Sequence, residues 1–230
     1  MIPIKDDAPR SITPYVNYFL IGLNAAVFLF EYSLSNHELR MLVMQFGFVP
    51  ANVHGWLDGL VPIDVALVPI LTSMFLHASW LHLIFNMWAL AIFGDNLEDR
   101  LGHFGYLLFY LLSGVGADLV HYVFNSASPI PSVGASGAIA GVMGAYFVLF
   151  PSARVLTWVF TFALIRLPAW LVLGYWFLAQ LLSGAATAIA DSQQTGGGVA
   201  VWAHVGGFIT GLILIKLFPV RPTYYSYEPN

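Results

Sequence analysis

The sequence predicts an all-α membrane protein, a bundle of six transmembrane helices with a long first outer loop. Three observations predict it. Of 230 residues, 59% are apolar and only 9% are charged, against about a quarter charged in an ordinary soluble domain. The apolar residues come in long runs separated by polar, Pro-rich or Gly-rich stretches. Lys and Arg are distributed between these runs with a strong bias to one side of a membrane.

So few charges could not cover the surface of a water-soluble fold, so the solvent for most of the chain is lipid. The length fits one domain. Cysteine is absent, which excludes disulfides and thiolate chemistry. A net charge of −4 without a Lys/Arg cluster excludes a nucleic-acid partner. The first residues, MIPIKDDAPRSITP, lack the basic region and cleavage site of a secretory signal. The first apolar run therefore reads as a retained span.

A helix crossing the ~30 Å hydrocarbon core needs about 20 apolar residues. Residues 14 to 34 supply the first, with Pro14 suited to its first turn. Residues 65 to 94 hold no Asp, Glu, Lys or Arg, too long a run for one simple crossing. Pro62 and Pro69 break its early part, so the second helix is expected from near Ser79 to near Asn96. The third is expected over 103 to 124, the fourth from Ala135 to Phe150, the fifth from Pro168 to Ala190, and the sixth from Val201 to Phe218.

With the N-terminus inside, Lys5, Arg10, Arg100, Arg154, Arg166, Lys216 and Arg221 all fall on the inner side and only Arg40 outside. The expected organisation is a cytoplasmic segment 1–13, a membrane domain 14–218 and a cytoplasmic tail 219–230. The outer connection, about 35 to 78, mixes apolar runs with Pro, Gly and Asp. Loops of this length are often functional or carry short helices of their own.

Polar residues inside membrane helices are costly, so each needs a reason. Ser136 and His204 fall in the first turns of the fourth and sixth helices, His82 and Asn86 in the first two turns of the second. All three helices descend from the outside, which places these residues within roughly 15 Å of the outer face. A serine hydroxyl needs a base within hydrogen-bond reach, and a neutral histidine is the usual one. His82 and Asn86, four apart, share a helical face and can aim donors at one oxyanion. The Ser136 amide, at a helix start, is also free to donate. Nucleophile, base and donors stand at one level, a complete set for acyl transfer.

Small residues explain how the two helices approach. Gly137, Gly141 and Ala145 form one stripe, and Gly207 and Gly211 another beside Gly206. GASGAIAG alone reads as no more than such a packing stripe, and Asn86 alone as a polar glue between helices. Their coincidence in depth with His204 favours the catalytic reading.

GASG at 134 to 137, the pair His82–Asn86 in HxxxN, and AHVGG at 203 to 207 resemble the signatures of the rhomboid family in order and spacing. The resemblance runs from about residue 12 to 218. It implies a rhomboid-like architecture with a water-accessible cavity that opens outward. It further implies a Ser–His dyad working without an acid, and substrates that are single-span transmembrane proteins cut near their outer ends. By motif match Ser136 is the nucleophile, His204 the base, and His82 and Asn86 the oxyanion donors. Gly134 belongs to the strained turn before the nucleophile. No cofactor or metal is implied, and the chain has no HExxH. One departure is visible: where many members carry a Trp-Arg pair in the first outer loop, this chain reads ALVPIL.

Asp118 and His121, three apart on one face, are expected to form a local structural pair, and His77 to support the cavity mouth. His37, His54 and His103 read as ordinary loop or interfacial residues. The gate is expected in the fifth helix, through Tyr175, Trp176 and Phe177, with the outer cap 191 to 200. Two other functions fit the composition: a non-catalytic rhomboid-like adaptor that binds transmembrane helices, and a transporter. The adaptor reading is weakened because Ser136 and His204 are both kept. The transporter reading is weakened because the polar groups stop in the outer half. Compactness and the absence of an organelle-targeting extension lead to the expectation of a bacterial inner membrane. The sequence sets no oligomeric state.

Overall fold

The computed structural model describes residues 1–159, 163–189 and 200–222. The TGGG stretch, most of the cap 191 to 200 and the end of the C-terminal tail lie outside the described residues. In chain order the elements are β1 (Ile2–Asp6), α1 (Tyr15–Ser33), α2 (Asn36–Phe46), α3 (Pro50–Leu57), α4 (Ile63–Thr72) and a short 3-10 helix (Ser73–Phe75). They continue with α5 (Trp80–Asn125), α6 (Ser136–Leu149), β2 (Arg154–Val159), β3 (Ala163–Pro168), α7 (Ala169–Ile189) and α8 (Val201–Leu214). The fold is mostly helical. Among the described residues, α1, α5 and α7 are long and apolar enough to cross a membrane.

Helix α5 holds the expected second and third helices as two arms that meet at Gly102, and only the end of the first arm departs from the expected boundaries. It starts as expected: Ser79 caps it, its hydroxyl accepting from the His82 amide at 3.2 Å. It does not stop near Asn96. Its 46 residues would span about 69 Å if straight, twice a bilayer core. Gly102, at φ +71°, breaks it instead, a conformation in which a Cβ would be strained. The two arms fold back on one another, so that Gly94 faces the Tyr106 hydroxyl across them. The polar run before the break looks like an exit from the membrane but serves internal contacts. Glu98, fully buried, accepts the Val16 and Asn17 amides at 3.0 and 2.7 Å and so satisfies the free N–H groups that open α1. Asp99 accepts the Ser11 and Ile12 amides and the Ser11 hydroxyl. Arg10 pairs with Asp95 at 2.9 Å.

A second departure is a three-stranded antiparallel sheet in the order β1-β2-β3. Ile2 stands opposite Trp158, and Arg154 opposite Pro168. The all-α expectation therefore misses the N-terminal segment and the link between α6 and α7. In β2, Val155 and Thr157 are buried while Arg154 and Trp158 are exposed, the period of two that a half-buried strand requires. The sheet is tied to the helices by the Tyr146 hydroxyl, which donates to Asp6. Burial pushes the Asp6 carboxyl up to about 6, and the Tyr146 hydrogen bond acts against that rise.

Helix α6 sits at the centre, packed on both α5 and α8, which also pack on each other, with every residue from Gly137 to Tyr146 buried. Around it pack Leu90, Phe93, Tyr106, Phe109 and Tyr110 of α5 and Phe208 of α8. The contact with α8 is backbone on backbone. A Cβ on Gly207 would run into the Gly137 carbonyl, and one on Gly211 into the Gly141 carbonyl. Neither obstacle is a side chain that can turn away. Gly211→Val should therefore lower stability by about 1–3 kcal/mol or more, the usual cost of overpacking. By contrast Gly22→Ala, with nothing within 4 Å of the new methyl, should leave it unchanged or slightly raised. Thermal unfolding in detergent checks both.

Candidate active site

The α6–α8 packing fixes the two polar residues that precede its stripes. Ser136 is the first residue of α6, so its amide has no intrahelical acceptor. His204 lies in the first turn of α8 and is 8% exposed. Its Nε2 stands 2.8 Å from Ser136 Oγ. Its Nδ1 stands 3.1 Å from Oε1 of Gln180 on α7. Trp176, one turn before Gln180, lies against the same imidazole with ring centroids 5.8 Å apart.

The turn into α6 is held by Gly134 at φ +129°, a region closed to other residues. Its amide donates to the Ser73 carbonyl at 2.9 Å, which ties the turn to the 3-10 helix. A Cβ here would come 2.6 Å from His82 Cε1 and 2.7 Å from His82 Nε2, with Asn86 Nδ2 at 3.7 Å. His82 and Asn86 thus line the space beside the turn, as their shared helical face requires. Asn86 Nδ2 is buried and, among the described residues, meets no acceptor.

A narrow pocket opens beside Ser136 between α5, α6 and the 3-10 helix. Its polar walls are Ser73, Asp118 and Ser132. Asp118 Oδ2 accepts from the Ser73 hydroxyl at 3.4 Å, while His121 is bonded to Asn125. The expected Asp118–His121 pair therefore gives way to two separate contacts, with Asp118 turned toward the pocket. His77 is buried beside His82. Its amide donates to Glu31 at 3.0 Å, and its ring meets that of His82 edge-on at 5.1 Å. His103, expected to be an ordinary interfacial residue, is bonded to buried Glu98.

Gln180 is the site residue that sequence reasoning passed over. The signal was present: it is the one amide side chain in the apolar run 169 to 189. The expected aromatic inner face of this helix also needs correction. At about 100° per residue three consecutive side chains cannot share a face. Trp176 and Phe177 turn toward His204 and Phe208, whereas Tyr175 is 53% exposed.

The rhomboid domain model matches residues 65–220, two thirds of the chain. The chain belongs to the rhomboid family. Among its relatives, rhomboid-like protein 11, chloroplastic, of Arabidopsis thaliana is 32% identical over 66% of this chain and 52% of its own length. Rhomboid protein 1, mitochondrial, of Saccharomyces cerevisiae is 29% identical over 85% of this chain and 51% of its own length. The putative rhomboid protease YdcA of Bacillus subtilis is 32% identical over 57% of this chain and 60% of its own length. The chain spans about half the length of the first two of these curated relatives. It is a membrane protein of a family that includes serine intramembrane proteases. The rhomboid match covers all of α5, α6, α7 and α8, and with them His82, Asn86, Ser136, Gln180 and His204.

Proposed function

We propose that this rhomboid is an intramembrane serine endopeptidase that cleaves single-span transmembrane proteins near the outer face of the membrane through Ser136 and His204. The observation that carries this reading is the 2.8 Å hydrogen bond between His204 Nε2 and Ser136 Oγ, with Ser136 also lining a polar-walled pocket.

In the proposed reaction Ser136 Oγ attacks the scissile carbonyl while His204 Nε2 takes its proton. The oxyanion is received by the Ser136 amide, Asn86 Nδ2 and His82. Collapse of the tetrahedral intermediate breaks the C–N bond, and the imidazolium returns its proton to the leaving amine. Water then attacks the acyl ester with His204 again as base, releasing the carboxyl product and Ser136. The pocket walled by Ser73, Ser132 and Asp118 supports a path for that water.

The membrane arrangement belongs to the same proposal. The two arms of α5 count as separate crossings, giving six with α1, α6, α7 and α8. Helix α6 rises only about 21 Å, less than the ~30 Å core, which accords with a nucleophile sunk below the surface. The basic residues support cytoplasmic termini. The Arg10 guanidinium pairs with Asp95, the Arg154 backbone amide donates to Asp7, and the Arg100 guanidinium donates to the Arg221 carbonyl, all at the end of the bundle that carries the sheet. The site lies at the other end. A bacterial inner membrane remains the proposed location.

A fluorophosphonate probe tests the reading without knowledge of the natural substrate. The folded protein in detergent should be labelled, with the adduct mapped to the peptide holding Ser136. A folded, unlabelled protein would instead favour the adaptor, a rhomboid that binds helices without cutting them.

A further inference from the structure

His204 is held at both ring nitrogens, and only one of its partners belongs to the dyad. The side chain at Nδ1 is an amide oxygen, which accepts and never donates. With Nε2 free to accept the Ser136 hydroxyl proton, Nδ1 carries the ring hydrogen, and the Gln180 amide meets it with its oxygen. We propose that Gln180 is a positioning residue for the base, the neutral third member of a Ser136–His204–Gln180 triad. It takes the place that a carboxylate fills in a Ser-His-Asp triad. The inference rests on the reading of His204 as base.

Two further observations support it. Trp176 and Gln180 are four apart on α7, so they present one face, and both reach the same imidazole. The ring is gripped at its side and at its Nδ1 edge by a single helix. Second, the amide suits the solvent. When Nε2 takes the serine proton, the Nδ1–H still points at a carbonyl dipole, and no permanent anion has to be buried beside it. Helix α7 packs mainly on α8 and only lightly on α6. Gln180 therefore links the least enclosed of these helices to the base, and displacement of α7 would release the imidazole's orientation.

The test compares Gln180→Met, which keeps the length but loses the acceptor, with Gln180→Glu, which keeps an acceptor in place. Cleavage kinetics are read together with the imidazole nitrogen chemical shifts of histidine-labelled protein, His204 being assigned by its loss in His204→Ala. Gln180→Met should lower kcat about tenfold with KM within about twofold, the scale of one buried hydrogen bond lost. Its His204 shifts should move from the Nδ1-protonated pattern to a mixture of tautomers. Gln180→Glu should keep that pattern and stay within about threefold of wild-type kcat, since the acceptor survives. Unchanged kcat and tautomer in Gln180→Met would overturn the proposal, as would equal losses in both variants. The nitrogen shifts need no turnover. A tautomer change in a protein that neither cleaves nor labels would contradict the protease reading and leave the hold of Gln180 on His204 standing.

Discussion

Ser136→Ala and His204→Ala should each lower cleavage of a single-span substrate by about 10³-fold or more, and the double variant should be hardly worse than either. The hydroxyl is a poor nucleophile unless its proton has somewhere to go as the C–O bond forms, and the acceptor within reach is His204 Nε2 at 2.8 Å. Removing either partner ends the same step, so the losses do not add. KM should change little, because neither side chain is needed to hold the substrate helix. Both variants should fold. The backbone-on-backbone contact of α6 with α8, made by Gly137, Gly141, Gly144, Gly207 and Gly211, does not use the Ser136 hydroxyl. A His204→Ala protein that had lost its thermal transition would point instead to a structural role for that imidazole.

Asn86→Ala should cost about 10²–10³ in kcat, the range seen when one oxyanion donor is removed. Its Nδ2 is buried without an acceptor among the described residues and faces the turn that carries Ser136. A donor left unpaired in the resting protein loses nothing further when the oxyanion arrives, so its whole hydrogen bond is gained in the transition state. The same reasoning predicts that Asn86→Ala does not destabilise the fold, since the resting amide hydrogens meet no acceptor among the described residues. A loss of stability with no loss of kcat would identify Asn86 as a helix–helix contact. Asn86→Asp separates the possibilities further. It keeps the shape but replaces a donor by an acceptor, and it should be as inactive as Asn86→Ala.

The features legible in the sequence were those with local causes. Pro14, Ser79, Ala135 and Val201 mark helix starts that the structure places within a residue or two, because capping and apolar length act over one or two turns. The convergence of Ser136, His204, His82 and Asn86 was legible because polar residues at one depth in neighbouring apolar helices meet when those helices pack. Less visible were features that depend on distant partners. Asp95, Glu98 and Asp99 look like a membrane exit, and only their bonds to residues 10 to 17 show why α5 runs on to Gly102. Strand β1 has too little apolar content to announce itself and forms because β2 offers an edge. Asp118 sits three residues from His121, yet its partner is Ser73, 45 residues away. Gln180 carried a readable signal, and what the sequence could not supply was the direction in which it points.

The measurement that bears most directly on the central claim is proteolysis by the purified protein in liposomes, with a generic single-span substrate and mass spectrometry of the products. Cleavage by wild type near the outer end of the substrate helix, abolished by Ser136→Ala, is the predicted result. A folded wild type that leaves several such substrates intact, or a Ser136→Ala variant that cuts as well as wild type, would contradict it.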